Sequence, residues 1–249
     1  MWEQSKKNIV TPVKIVVESS ENGLDTKIIK KLFKTRVELL SYRFNEHFSF
    51  AYSDDSHSIG DVLKMLKRGM KTSEFTSPML KRLLIIVDTD ENLRSRLDEI
   101  LSAFRSRDAD SLPKFNLPAG LNEYNEIQDW EVAVSIFLLP NCRDIWSLEN
   151  LCYEGFQGES EEILLKKQAV NTYIDTLRSH NIEVHGMTEN NISKSKFRVY
   201  RSTPNPDGYT HHIEDWVNLG SNTFNALVDF LRVNLSFIEL TVEWETQQP

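Results

Sequence analysis

Arg82-Leu-Leu-Ile-Ile-Val-Asp88-Thr-Asp90 is the stretch that decides the fold. From Leu83 through Val87 every side chain is aliphatic, so no polar face remains for water and the segment suits a central parallel strand covered on both sides. It stops at two carboxylates spaced i, i+2, which an extended chain points into one crevice. The pattern recurs on either side. Val13–Val17 is a shorter apolar run that ends at Glu18 and opens a polar loop to Gly23. Ile28, Ile29, Leu32, Phe33, Val37 and Leu40 then fall at helical spacing, which predicts a helix over 24–40. Segment 47–52 offers another strand, followed by helical spacing at Ile59, Val62, Leu63 and Leu66. Leu97, Ile100, Leu101 and Phe104 mark a helix over 93–105, and 132–139 reads as a further strand closed by Pro140 and Asn141.

Alternating strands and helices predict an α/β fold: a mostly parallel sheet with helices on both faces. Residues 1–157 form this core, and 158–249 read as a C-terminal helical lobe packed on it. In the lobe, 161–180 is a long amphipathic helix with Leu164, Leu165, Ala169, Tyr173, Ile174 and Leu177 on its apolar side. A basic segment follows over 194–201, and a last helix over 222–235. Ser147 is an N-cap candidate for a helix over 147–153. The stretch 108–129, with two prolines and no clear period, reads as an insertion or partly ordered loop.

Composition narrows the class. Of 249 residues, 40% are hydrophobic and 27% charged, which is ordinary globular usage. The formal net charge of −8 argues against overall attraction to nucleic acid, although bound cations would reverse the field locally. Two cysteines, Cys142 and Cys152, lack metal-ligand or CxxC spacing. With no leader and no apolar run of membrane length, the expectation is a cytoplasmic chain with no membrane association. Neither a P-loop nor a GxGxxG motif occurs, so any ATP chemistry must come from another chain.

In an open parallel sheet the active crevice lies beyond the carboxyl ends of the strands. The residues expected there are acidic: Glu18, Asp54 and Asp55, then Asp88 and Asp90, with Glu149 from the helix after 132–139. Any one of them alone is ordinarily a helix cap or a turn residue. Gathered at one edge they repel one another unless protonated or metal-bound, and all-oxygen ligands select hard divalent cations. The adjacent pair His211 and His212 does not have zinc-site spacing.

Ile15-Val-Val-Glu18, then Leu84-Ile-Ile-Val-Asp88-Thr-Asp90-Glu91-Asn92, resembles the TOPRIM signature of topoisomerases, primases and OLD-type nucleases, in which a Glu ends one strand and DxD ends another. Ser135-Ile-Phe-Leu-Leu-Pro140-Asn141, Ser147-Leu-Glu149-Asn150-Leu151, Lys194-Ser-Lys196 and Leu219-Gly-Ser extend the likeness to small stand-alone TOPRIM-like proteins of unknown function, related to OLD-type nucleases and commonly encoded beside ATPases in phage defence. The resemblance covers roughly 14–235 in order. It implies that Glu18 serves acid–base or metal chemistry, that Asp88 and Asp90 bind Mg²⁺ or Mn²⁺, and that Glu149 is an additional ligand. Apart from the resemblance, Lys194, Lys196, Arg198 and Arg201 form one basic stretch. On a helix 194, 198 and 201 share a face that would clamp a phosphate, the alternative being a solvated face. Lys194 and Lys196 are the expected phosphate contacts. The family Glu is usually followed by Gly, whereas Ser19 stands here, narrowing the approach of a phosphate.

Three functions are in competition on these grounds. The leading one is a metal-dependent nuclease acting on DNA or RNA, the toxic effector of an antiviral system with an ABC- or OLD-like ATPase as partner protein. The second is a catalytically silent TOPRIM-like sensor subunit bound to such an ATPase. The third, a phosphoacceptor receiver domain, is disfavoured because the first strand ends in one acid rather than a pair. Homo-oligomerisation is left open.

Overall fold

The computed structural model of the chain describes residues 10–51, 59–69, 73–89, 92–105, 114–128, 131–142, 147–155, 161–180, 182, 189–202 and 217–246. Five strands, β1 (Val13–Val17), β2 (Phe48–Ala51), β3 (Arg82–Asp88), β4 (Lys114–Asn116) and β5 (Glu131–Leu139), form one all-parallel sheet in the order β2-β1-β3-β5-β4. The helices in chain order are α1 (Leu24–Thr35), α2 (Ile59–Gly69), α3 (Ser73–Thr76), α4 (Leu93–Arg105), α5 (Leu148–Gly155), α6 (Glu161–Ser179), α7 (Glu189–Ser202) and α8 (Asn225–Thr246).

Strand side chains alternate between the two faces. Val13, Ile15, Val17, Leu84, Ile86 and Phe137 face a core built with α1, α5, α7 and α8. Val16, Leu83, Ile85, Val87 and Ile136 face a second core built with α2 and α4. Both faces are dry, which is why 83–87 carries no polar residue. Each of those five side chains is 0% exposed, and burial of each stabilises the fold by about 1.5–3 kcal/mol. Phe230 of α8 lies 5.0 Å from Phe137 of β5, ring to ring, so apolar side chains from 1–157 and 158–249 form one contiguous cluster on that face.

Several local expectations give way to tertiary contacts. The helix expected over 24–40 ends at Thr35, and Arg36 is extended at φ −90°, ψ 119°. The Arg36 guanidinium reaches across to the Leu219 and Ser221 carbonyls and Asn225 Oδ1, and a 3-10 turn, Val37–Leu39, follows. Within 108–129, Lys114–Asn116 adds the edge strand β4 against β5; three residues are too few to show a period.

On α6, Val170 and Ile174 are buried, but Leu164, Leu165 and Tyr173 are each more than half exposed and Ala169 is exposed. The helix is apolar on two sides, and among the described residues the covered one packs against α7 and α5. At the start of α5, Ser147 Oγ donates to Asn150 Oδ1, which also accepts the Ser147 N–H, and a carboxylate from β3 takes the first helical N–H. Among the described residues no helix is long and apolar enough to cross a membrane.

Candidate functional site

β1 and β3 are neighbours, yet the helices that follow them pack on opposite faces of the sheet. This is the topological switch point, where an open α/β sheet leaves a crevice beyond its carboxyl edge. β1 ends there at Val17, with Glu18 next, and β3 at Asp88. The first turn of α1 contributes Asp25, the first turn of α5 contributes Glu149, and α7 contributes Lys194.

Asp88 is the centre of the cluster. Its Oδ1 accepts the Leu148 N–H at 2.9 Å, which caps α5, and its Oδ2 faces the Lys194 ammonium at 3.8 Å. Burial, then the carboxylates of Asp25, Glu149 and Glu18, hold the Asp88 pKa well above the usual carboxylate range, with Lys194 opposing them. Asp25 is pushed up to about 6, first by burial and then by the Glu149 carboxylate. Hydrogen bonds from its own N–H and from the N–H and hydroxyl of Ser19 offset part of that rise. Glu18 is half-buried, with Oε1 sealed from solvent. Cys152 lies fully buried beside the cluster, and burial together with Glu149, Asp25 and Asp88 raises its pKa well above that of a free thiol. It is a neutral core residue and not a nucleophile.

Ser19, expected to narrow a phosphate's approach, is buried and turned onto Asp25 and Thr26, its hydroxyl 3.5 Å from Thr26 Oγ1. The fit depends on Gly23, where an added Cβ would come within 2.2 Å of Ser19 Cβ. The loop after Glu18 is thereby folded back so that the first turn of α1 delivers Asp25 to Glu18's crevice.

Of the site residues expected from sequence, Glu18, Asp88, Glu149 and Lys194 come together here. Asp90 lies outside the described residues, as do Asp54 and Asp55. Lys196 sits two residues beyond Lys194 on α7, about 200° around the axis, so one face of the helix does not deliver both ammonium groups to Asp88. Arg198 is exposed, and the Arg201 side chain lies outside the described residues. Asp25 is the residue that sequence reasoning missed. It is the one acid in α1, but an acid in a first turn is ordinarily explained by the helix dipole, and nothing in a single sequence separates the two roles.

The donor set is four carboxylates with no histidine and a thiol held neutral, which is the chemistry of a hard divalent cation site. Among the described residues, however, no three His, Cys, Asp or Glu side chains stand in a ready-made metal cage. Both Asp88 oxygens already have partners, one a backbone N–H and one an ammonium. The residues fit such a cation in charge and ligand type, and at Asp88 Oδ2 it would compete with Lys194.

Fold and site together define an open parallel α/β protein with a half-buried carboxylate cluster at its switch point. The chain belongs to the family described as protein of unknown function (DUF3226), whose model matches residues 12–234 and so spans every residue of the cluster. No curated protein and no solved structure matches the chain.

Proposed function

We propose that this chain is a TOPRIM-like, divalent-metal-dependent nuclease acting in the cytoplasm, the effector of an ATPase-associated phage-defence system. The observation that carries the reading is the packing of Glu18, Asp25, Asp88 and Glu149 around one crevice, where burial and mutual repulsion raise Asp25 and Asp88. Four carboxylates opposed by one ammonium cost stability, and Mg²⁺ or Mn²⁺ would relieve that.

Glu18, Asp25, Asp88 and Glu149 would hold the cation, with Asp90 next along the chain. When bound, the metal supplies a Lewis acid for a phosphodiester and a lowered pKa for the attacking water. Glu18, on a loop with one oxygen buried, would hold or take a proton. Lys194, released from Asp88, would face a phosphate oxygen. Asp88 also fixes α5 through the Leu148 N–H, so the helix and the site are positioned by one side chain.

The second reading is a silent module bound to an ATPase, and the engagement of both Asp88 oxygens favours it. The two are separated by incubating the chain, with any ATPase encoded beside it, with DNA and RNA in Mg²⁺ or Mn²⁺. The nuclease reading expects cleavage that Glu18→Ala abolishes while the melting profile persists. Intact nucleic acid with the complete, triggered complex would leave the silent module standing.

A further inference from the structure

Among the described residues, the face of α1 turned away from the core is a run of lysines. Thr26, Ile28, Ile29, Leu32 and Phe33 are buried against the sheet, which turns Lys27, Lys30, Lys31 and Lys34 outward at i, i+3, i+4 and i+7. Lys34 is exposed and the other three are half-buried, the ordinary state of a lysine whose stem lies on the protein and whose ammonium reaches water. The helix holds one acid, Asp25, and that acid belongs to the cluster. In a chain of net charge −8, four lysines stand on one stripe of this helix with no acid among them. The helix dipole accounts only for a cation in the last turn, Lys34.

The stripe begins two residues from Asp25 and runs about 10 Å down the helix. Beside it stands an aromatic group. Lys30 Nζ lies 4.8 Å from the centroid of the Phe44 ring and 5.6 Å from that of Phe50. Phe44 packs against Phe48 at 5.8 Å and Phe50 at 5.9 Å, so its ring is held, yet it remains 43% exposed. A held, partly exposed aromatic ring next to a track of cations is the combination that binds single-stranded nucleic acid: the cations follow the phosphates and the ring offers a stacking face to a base.

We infer that the α1 lysine stripe and Phe44 bind a single nucleic-acid strand and lead it to the carboxylate crevice. This rests on the nuclease reading for its purpose, but not for its measurement. Binding can be followed without metal and without cleavage, by the anisotropy of a fluorescein-labelled oligothymidylate, and of the same sequence as a duplex, in chelator over a series of salt concentrations.

The combined variant Lys27→Gln, Lys31→Gln, Lys34→Gln should bind the single strand at least tenfold more weakly at low salt. The slope of log affinity against log salt should flatten by about 2, three contacts at roughly 0.7 each for a single strand. Phe44→Ala should weaken the single strand and leave the duplex unchanged. Lys64→Gln, which removes an exposed α2 lysine paired with Asp61, should match wild type in both. Wild-type affinity and slope in the triple variant would overturn the inference, as would an equal loss from Lys64→Gln or no binding by the wild type at all. Cleavage that survives in a triple variant with unchanged binding would leave the nuclease reading intact while removing the stripe.

Discussion

β3 carries an ionisable side chain at each end, Arg82 buried and Asp88 half-buried, and the two are surrounded in opposite ways. At its start Arg82 is 0% exposed. Its guanidinium donates to Ser135 Oγ, Asn234 Oδ1 and the Asn125 carbonyl, and lies 4.3 Å from the Tyr124 ring centroid and 5.7 Å from that of Phe237. At its end Asp88 is surrounded by three more carboxylates, with one ammonium to oppose them. The first charge is surrounded by neutral dipoles and rings drawn from β5, α8 and the loop before β5. It closes the structure. The second stands among like charges, with its two oxygens taken by the Leu148 N–H and the Lys194 ammonium, and local rules are broken most often where a protein binds or reacts.

Breaking the Arg82 end should have the largest effect. Arg82→Ala would strand Asn234 Oδ1 and the Asn125 carbonyl beneath α8 and open a cavity, at a cost of about 3–5 kcal/mol. Thermal melting should show a fall of roughly 6–20 °C, with no change in any metal response. An Arg82→Ala protein as stable as wild type would mean that the two ends are not different in kind.

The opposite end should respond with the opposite sign. The Asp25 pKa is raised in the folded chain from 3.8 to about 6, so the folded state favours the neutral acid. Its cost is absent below the unfolded pKa, grows as pH rises between the two values, and is complete above about pH 6. Asp25→Asn should therefore melt a few degrees higher than the metal-free wild type at pH 7 and converge with it near pH 4. Melting curves across that range that stay parallel would remove the claim that Asp25 is strained by its neighbours.

The smallest effect sharpens the comparison. Lys194 is the compensating charge at Asp88, 3.8 Å away, whereas Arg82 has no such competitor to displace. Lys194→Gln should lower the melting temperature of the metal-free protein slightly and tighten Mn²⁺ binding about fivefold, the scale of a partly exposed ion pair. Titration calorimetry would read it, with Lys196→Gln unchanged as the control. Unaltered Mn²⁺ affinity in Lys194→Gln would show that the ammonium and the cation do not share Asp88.

What was legible in advance followed from periodicity. Strands β1, β3 and β5 and helix α4 follow from runs and spacings long enough to have one reading, and the acids after β1 and β3 stand out because an apolar run stops at them. Asp25 was not legible, since its first-turn position has a sufficient local explanation. The exposed side of α6 was not legible either, because two apolar faces on one helix do not say which is covered.

The sequence by itself determined that β3 would be central and parallel: five consecutive aliphatic side chains can be buried only if both faces are dry. It also determined that Glu18 and Asp88 would end their strands. Only the tertiary structure decided that β1 and β3 would be neighbours at a switch point, that Ser19 and Gly23 would fold Asp25 into the same crevice, and that Lys194 would arrive from a helix more than one hundred residues away. The reason is physical. Burial of an apolar face is a local property read from composition and period, whereas the repulsion among Glu18, Asp25, Asp88 and Glu149 exists only once the packing of four separate elements has brought them out of water together.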